Sequence, residues 1–228
     1  MRIEIRRRKD PAGRPYIVSA EYDNTEEVTV AQALDDLNSG IYADDPVEWE
    51  HSCRQKKCGA CAMLINGRPR LACDAWLKEF TGGVIRLEPL KKFPVVRDLK
   101  VDRSVMFDNL AKLGAWLAET ASADSNGVAY DASRCLQCGC CLEVCPNFYA
   151  GGKFFGSAAL APASRLIAEA EGDDEKRLYG AYNGHFYRGC GKSLACRDIC
   201  PAGIDMENLL VNSNAAAVWK RKFRGKKK

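Results

Sequence analysis

Histidine is almost missing from this chain: its 228 residues include two, His51 and His185. Two scattered imidazoles cannot supply Cys/His zinc fingers, and no pair is placed to hold one iron of a Rieske centre. His185 is therefore expected to be structural. Long apolar runs are missing too. No stretch reaches the roughly 18 residues of a membrane span, and the best candidate, GSAALAPASRLIAEA, is interrupted by Arg165 and Glu169. The opening MRIEIRRRKD is basic but lacks the apolar segment of a secretory signal, so a soluble, cytoplasmic chain is expected. No convincing nucleophile–base pair and no dinucleotide fingerprint occurs. GGKFFG lacks both the G-K-[ST] ending and the preceding strand of a phosphate loop.

Cysteine, by contrast, is abundant, with twelve residues. Disulfides are reduced in a cytoplasmic setting, so clustered thiols there point to metal. The net charge of +4 is local: the last nine residues, KRKFRGKKK, hold seven of the 34 basic side chains and leave a mildly acidic body. Such a tail is either a solvated end or attracted to anionic lipid. Nucleic-acid binding is not expected, since no recognition motif accompanies the charge.

The first half reads as short strands with little helix. RIEIRRR alternates Ile3 and Ile5 with charge, RPYIVSAEY is a second strand, and GGVIRLEPL a last one. TVAQALDDLNSG suits a helix ended by Gly40. Asn66-Gly67 in AMLINGRPRLAC marks a hairpin. A small mixed sheet with one helix fits a β-grasp fold. Its cysteines fall as Cys53-x4-Cys58-x2-Cys61-x11-Cys73, the plant-type spacing for a 2Fe–2S cluster. Gly59 lets the backbone approach the sulfides, and Cys73 comes from the far arm of the hairpin. His51 lies beside this loop, but four thiolates leave it no ligand role.

The second half turns helical. Val101, Val105, Leu110, Leu113, Trp116 and Leu117 approximate one apolar face, and further helices are expected over 157–171 and 205–220. Two bacterial-ferredoxin runs sit here. The first is complete: Cys135-x2-Cys138-x2-Cys141-x3-Cys145-Pro146. The second, CGKSLACRDICP, keeps Cys190, Cys196, Cys200 and Pro201 in register but has Ser193 in place of its second cysteine. In such pairs the fourth cysteine of each run serves the other cluster. Cys135, Cys138, Cys141 and Cys200 then form a 4Fe–4S site. Cys145, Cys190 and Cys196 form a three-thiolate site suited to a 3Fe–4S cluster, with Ser193 at the remaining corner. Only Cys140 stays outside these sets, as a buried non-ligand. Three centres of three types in series make a one-electron wire, with its donor and acceptor sites on other subunits.

CRQKKCGACAMLINGRPRLAC, FPVVRDLKVDRSVMF, CLQCGCCLEVCP and CGKSLACRDICPAGID together resemble the iron–sulfur subunit of succinate dehydrogenase and quinol:fumarate reductase, from about residue 1 to 215. The resemblance implies an α+β chain: an N-terminal β-grasp plant-type ferredoxin domain (1–98), a mainly α-helical bacterial-type two-cluster domain (99–219) and a basic tail (220–228). It implies two partners, a catalytic subunit whose FAD interconverts succinate and fumarate, and a membrane anchor carrying quinone, with or without haem. The chain would sit peripherally on the cytoplasmic face of the membrane. In the family, the 2Fe–2S centre lies nearest the flavin and the 3Fe–4S centre nearest the quinone. Ubiquinone-reducing members usually carry a tryptophan shortly after the first Cys-Pro and a histidine directly after the equivalent of Cys190. Here Asn147, Phe148, Tyr149 and Ala150 follow Pro146, and Gly191 follows Cys190. These departures imply menaquinone, bound mainly by the anchor. Two alternatives stay open: the electron-transfer subunit of another flavoprotein, such as a thiol-linked fumarate reductase, and a non-redox protein stapled by clusters or zinc. The former is expected to carry further cysteine-rich modules beyond the second run, where this chain ends.

Overall fold

Ile3 and Ile5 point to one face of β1 (Arg2–Arg7) and are almost fully buried. Each such side chain stabilises the fold by roughly 1.5–3 kcal/mol relative to exposure. The strand pairs antiparallel with β2 (Tyr16–Glu21), Ile5 opposite Val18. Thr29 accepts the Gln32 N–H and so caps α1 (Val30–Ser39), which ends at Gly40. The hairpin of β3 (Ala62–Ile65) and β4 (Arg68–Leu71) turns on Asn66 and Gly67, both at positive φ, as a tight two-residue turn requires. β5 (Val84–Glu88) runs parallel to β1, Ile3 beside Ile85, and antiparallel to β3. The sheet order β2-β1-β5-β3-β4 puts the first and last strands side by side at its centre, the β-grasp arrangement.

These elements belong to the first of two compact units, Met1–Arg103 and Ser104–Lys228. The computed structural model describes residues 1–23, 27–118 and 127–219. The basic tail lies outside the described residues, and with it the expectation of lipid attraction. The first unit also contains a ribbon that the strand patterns do not announce, β6 (Val95–Arg97) with β7 (Lys100–Val101). Its turn holds Asp98, fully buried at φ +46. The Asp98 carboxylate accepts hydrogen bonds from the Arg7 guanidinium at 2.9 and 3.2 Å and from the Arg8 and Glu48 N–H groups at 3.0 Å. A buried tertiary ion pair holds the turn of this ribbon.

In the second unit, α2 (Ser104–Leu113) buries Met106, Asn109 and Leu113. This corrects the expected apolar face: Val101 lies on β7, and Trp116 lies beyond the helix end and is 62% exposed. The helix stops because Gly114 turns left-handed, at φ +64, and Arg177 takes the carbonyls of Leu113, Gly114 and Trp116. Short α3 (Val128–Ser133) and α4 (Cys140–Glu143) precede α5 (Ser157–Glu169), whose many alanines let α3 and α8 approach closely. Gly156 opens α5 at φ +73; a Cβ there would run into Leu142 and Phe148, so this glycine serves packing. α6 (Gly172–Tyr182) continues into a π-helical turn over Asn183–Tyr187. α7 (Ala195–Asp198) and α8 (Met206–Asn214) complete the unit. His185 donates from Nδ1 to the Lys153 carbonyl at 2.9 Å and stacks on Phe155. That is the structural role its isolation suggests.

Candidate metal centres

Three cysteine loops share one backbone device. Arg54 and Lys56, Gln137, and Lys192 and Leu194 all have positive φ. These five are most of the seven non-glycine residues so strained among those described. Successive N–H groups turned this way form concave nests for negative charge. The strain is thus concentrated where thiolates are expected.

The effect is plainest in the first unit. The Gln55 and Lys57 N–H groups each donate to Cys53 Sγ at 3.3 Å, and the Lys56 N–H donates to Cys73 Sγ at 3.3 Å. Cys61 and Cys73 are 3.4 Å apart, sulfur to sulfur. Hydrogen bonds from Gln55 and Lys57, and from Cys58, pull the half-buried Cys53 thiol down to about 7. Burial pushes Cys61 up to about 12. From beneath, the Arg103 guanidinium donates to the Gly59 and Ala60 carbonyls at 3.1 and 2.7 Å and pairs with Glu50. Those two carbonyls are thus occupied by Arg103, while the Gln55, Lys56 and Lys57 N–H groups face sulfur. Lys56 pairs with Asp74 at 2.7 Å and Arg54 with Asp35. His51 packs edge-on against Trp49.

In the helical unit the cysteines ring two cavities. Cys135, Cys138, Cys141 and Cys200 line one, with Ala158, Ile204 and Met206 on its wall. Cys145, Cys190 and Cys196 line the other, with Ser193 on its wall. Each cavity takes cysteines from both runs, because the residues after Cys141 and Cys196 form single helical turns that carry Cys145 and Cys200 across. Cys140 is fully buried and lines neither cavity.

The thiols of each cavity act on one another. Burial raises Cys135, and negative charge on Cys138 and Cys200 adds to it. Burial raises Cys141 well above an ordinary thiol, with Cys138, Cys135, Cys196 and Cys200 adding. Burial likewise raises Cys196, helped by Cys190 and Cys145 and opposed by a hydrogen bond from Ser157. Several thiols that resist ionising together are a poor choice for a bare core but a suitable one around cationic iron. Among the described residues, no three His, Cys, Asp or Glu side chains close on the point a single ion would occupy. The cysteines of the helical unit line cavities instead.

Sequence reasoning missed the side chains that serve these loops: Arg103 beneath the exposed loop, Ser157 on Cys196, and Gln137, which donates to Cys135 Sγ at 3.2 Å. Met206, which lines both cavities, was missed as well. Of these only Gln137 lies inside a cysteine run, at a position between two cysteines. Only Ser157, placed just after Gly156 at a helix start, carries a local signal.

The family described as a 2Fe-2S iron-sulfur cluster binding domain matches residues 2–108, and that described as a 4Fe-4S dicluster domain matches residues 131–204. The chain is 34% identical to the succinate dehydrogenase iron-sulfur subunit of Bacillus subtilis, over 94% of its own length and 91% of that protein's. It is 32% identical to the fumarate reductase iron-sulfur subunit of Wolinella succinogenes, over 86% and 87% of the two chains. Its fold is similar to that of a chain of the Mycobacterium smegmatis Sdh1 complex in the apo form, with a TM-score of 0.78 over 97% and 96% of the two chains. At 21% identity that likeness speaks for the fold alone.

Proposed function

This chain belongs to the family of succinate dehydrogenase and fumarate reductase iron–sulfur subunits, and on that premise we propose that it carries electrons between the FAD of a catalytic subunit and a quinone held by a membrane anchor. Cys53, Cys58, Cys61 and Cys73 would hold a 2Fe–2S cluster. Cys135, Cys138, Cys141 and Cys200 would hold a 4Fe–4S cluster, and Cys145, Cys190 and Cys196 a 3Fe–4S cluster. When bound, these clusters supply one-electron centres that join the two-electron chemistry of succinate to that of quinone. The chain's own part is to hold the thiolates, aim N–H groups at them and exclude water.

The observation that carries this reading is the pair of cavities, one walled by four thiols and the other by three thiols and a serine. A serine hydroxyl is harder and far less acidic than a thiol, so Ser193 is a poor ligand for a fourth iron.

Menaquinone, bound mainly by the anchor, accords with the wall of the three-thiol cavity. A Cβ at Gly191 would stand 2.8 Å from Asn147 Oδ1, so the wall there has no room for the imidazole of the ubiquinone-reducing pattern unless Asn147 moves. Among the described residues no helix is long and apolar enough to cross a membrane. A peripheral position on the cytoplasmic face, docked on the anchor, accords with this. Copurification tests the proposal. A flavoprotein and an anchor should accompany the chain, the complex should turn over succinate or fumarate with a menaquinone analogue, and its visible absorption should bleach with dithionite. Absorption that dithionite leaves unchanged would make the chain a structural metalloprotein instead.

A further inference from the structure

Gln137 lies between Cys135 and Cys138, with its backbone at φ +50. Its amide nitrogen donates to Cys135 Sγ at 3.2 Å and to the Ala158 carbonyl at 2.8 Å, using both N–H bonds of the amide. The amide oxygen is buried and has no hydrogen-bond partner. A left-handed non-glycine backbone and an unsatisfied buried oxygen both oppose stability. Flipping the amide would press its oxygen against the Ala158 carbonyl, acceptor against acceptor. That carbonyl therefore fixes which end of the side chain faces the sulfur.

The Ala158 carbonyl is free to do this because of a proline. In an α-helix the N–H of residue 162 bonds the carbonyl of residue 158. Position 162 of α5 is Pro162, which has no N–H. The gap in the helical ladder thus falls on the carbonyl that Gln137 uses. Nothing local links the two residues: they come together only when α5 packs against the first cysteine run.

We propose that Gln137 sets the reduction potential of the four-cysteine centre, and that Pro162 is the positioning residue that holds it in its donor orientation. The inference rests on the ligand assignment above. One-electron reduction makes the centre more negative by one charge, and an N–H donor on a ligand sulfur stabilises that state more than the oxidised one. Removing the donor lowers the potential. The three-cysteine centre, whose sulfur donor is Ser157, serves as the internal control.

The test is a redox titration of the full complex, following each centre by electron paramagnetic resonance alongside an iron assay. Gln137→Met keeps the length of the side chain and removes the N–H. We expect about a tenfold fall in the reduced-to-oxidised ratio of the four-cysteine centre at fixed potential, equivalent to about 59 mV for one electron. Pro162→Ala returns a competing N–H to the Ala158 carbonyl and should shift the same centre in the same direction by less. Iron content and the three-cysteine midpoint should stay at wild-type values in both. An unmoved four-cysteine midpoint in fully loaded Gln137→Met overturns the proposal, and an unmoved midpoint in Pro162→Ala alone removes the proline from it. Wild type without a four-iron centre overturns the ligand assignment instead. If Gln137→Met does not assemble the centre, wild type carrying 15N in its glutamine amides decides the matter. The reduced centre must then show a 15N hyperfine coupling, and its absence overturns the proposal.

Discussion

The two cavities of the helical unit are built from the same parts and differ in how exposed their lining residues are. In the four-thiol cavity, Cys138 and Cys141 are buried, and Ala158, Ile204 and Met206 complete the wall. In the three-thiol cavity every cysteine is half-buried, and the wall runs out through Gly191, Lys192 and Ser193, all exposed. The corner without a thiol is the corner that faces outward. A ferredoxin run can thus carry a serine in place of its second cysteine and keep the fold of its loop. The loop of Lys192 and Leu194 keeps the left-handed turns that aim its backbone inward.

The largest expected effect separates two neighbouring cysteines. Cys141→Ala should abolish the four-thiol centre and lower the iron content by about four atoms per chain. Cys140→Ala should keep every iron and cost about 1 kcal/mol in thermal unfolding, as a small deletion in a packed interior does. Equal iron loss in both would mean that the buried thiol outside the cavities is a ligand after all.

A smaller effect is expected at Ser157. Removing its hydroxyl with Ser157→Ala should lower the midpoint of the three-thiol centre by roughly a few tens of millivolts and leave the four-thiol midpoint in place. A shift in both would show that the two cavities do not have separate donors.

The exposed loop of the first unit provides the smallest effect. Lys56 is paired with Asp74, so the uncompensated charge near Cys53 falls on Lys57, which among the described residues has no acidic partner within 4.0 Å. Lys57→Glu should lower the 2Fe–2S midpoint by roughly ten to thirty millivolts at low salt, with the shift shrinking as salt rises. A salt-independent shift would point to a rearranged loop rather than to charge.

The grouping of the cysteines was largely legible in the sequence, for a physical reason. Cysteine spacing is a local property: Cys135, Cys138 and Cys141 curl around one cavity, and a few residues suffice to encode that. The hairpin at Asn66 and Gly67 and the alternation of Ile3 and Ile5 are local in the same way. What was hidden depends on contacts distant in sequence. The turn of the β6–β7 ribbon is held by Arg7, which reaches Asp98, 91 residues away. The end of α2 depends on Arg177, more than 60 residues on. α6 begins with the polar GDDEKR and buries only Leu178 and Tyr182, too little apolar periodicity to be seen. Gln137 and Pro162 are unremarkable residues until α5 is packed.

Whether Ser193 marks a centre with three irons is decided by electron paramagnetic resonance of the air-oxidised protein, with its iron content, in wild type and Ser193→Cys. An oxidised three-iron cluster has an odd electron count and is paramagnetic, whereas oxidised 2Fe–2S and 4Fe–4S centres are silent. Wild type should hold about nine irons and show one cluster signal. Ser193→Cys completes the run, so the signal should vanish while the iron count rises by about one. A silent oxidised wild type with about ten irons would contradict the account.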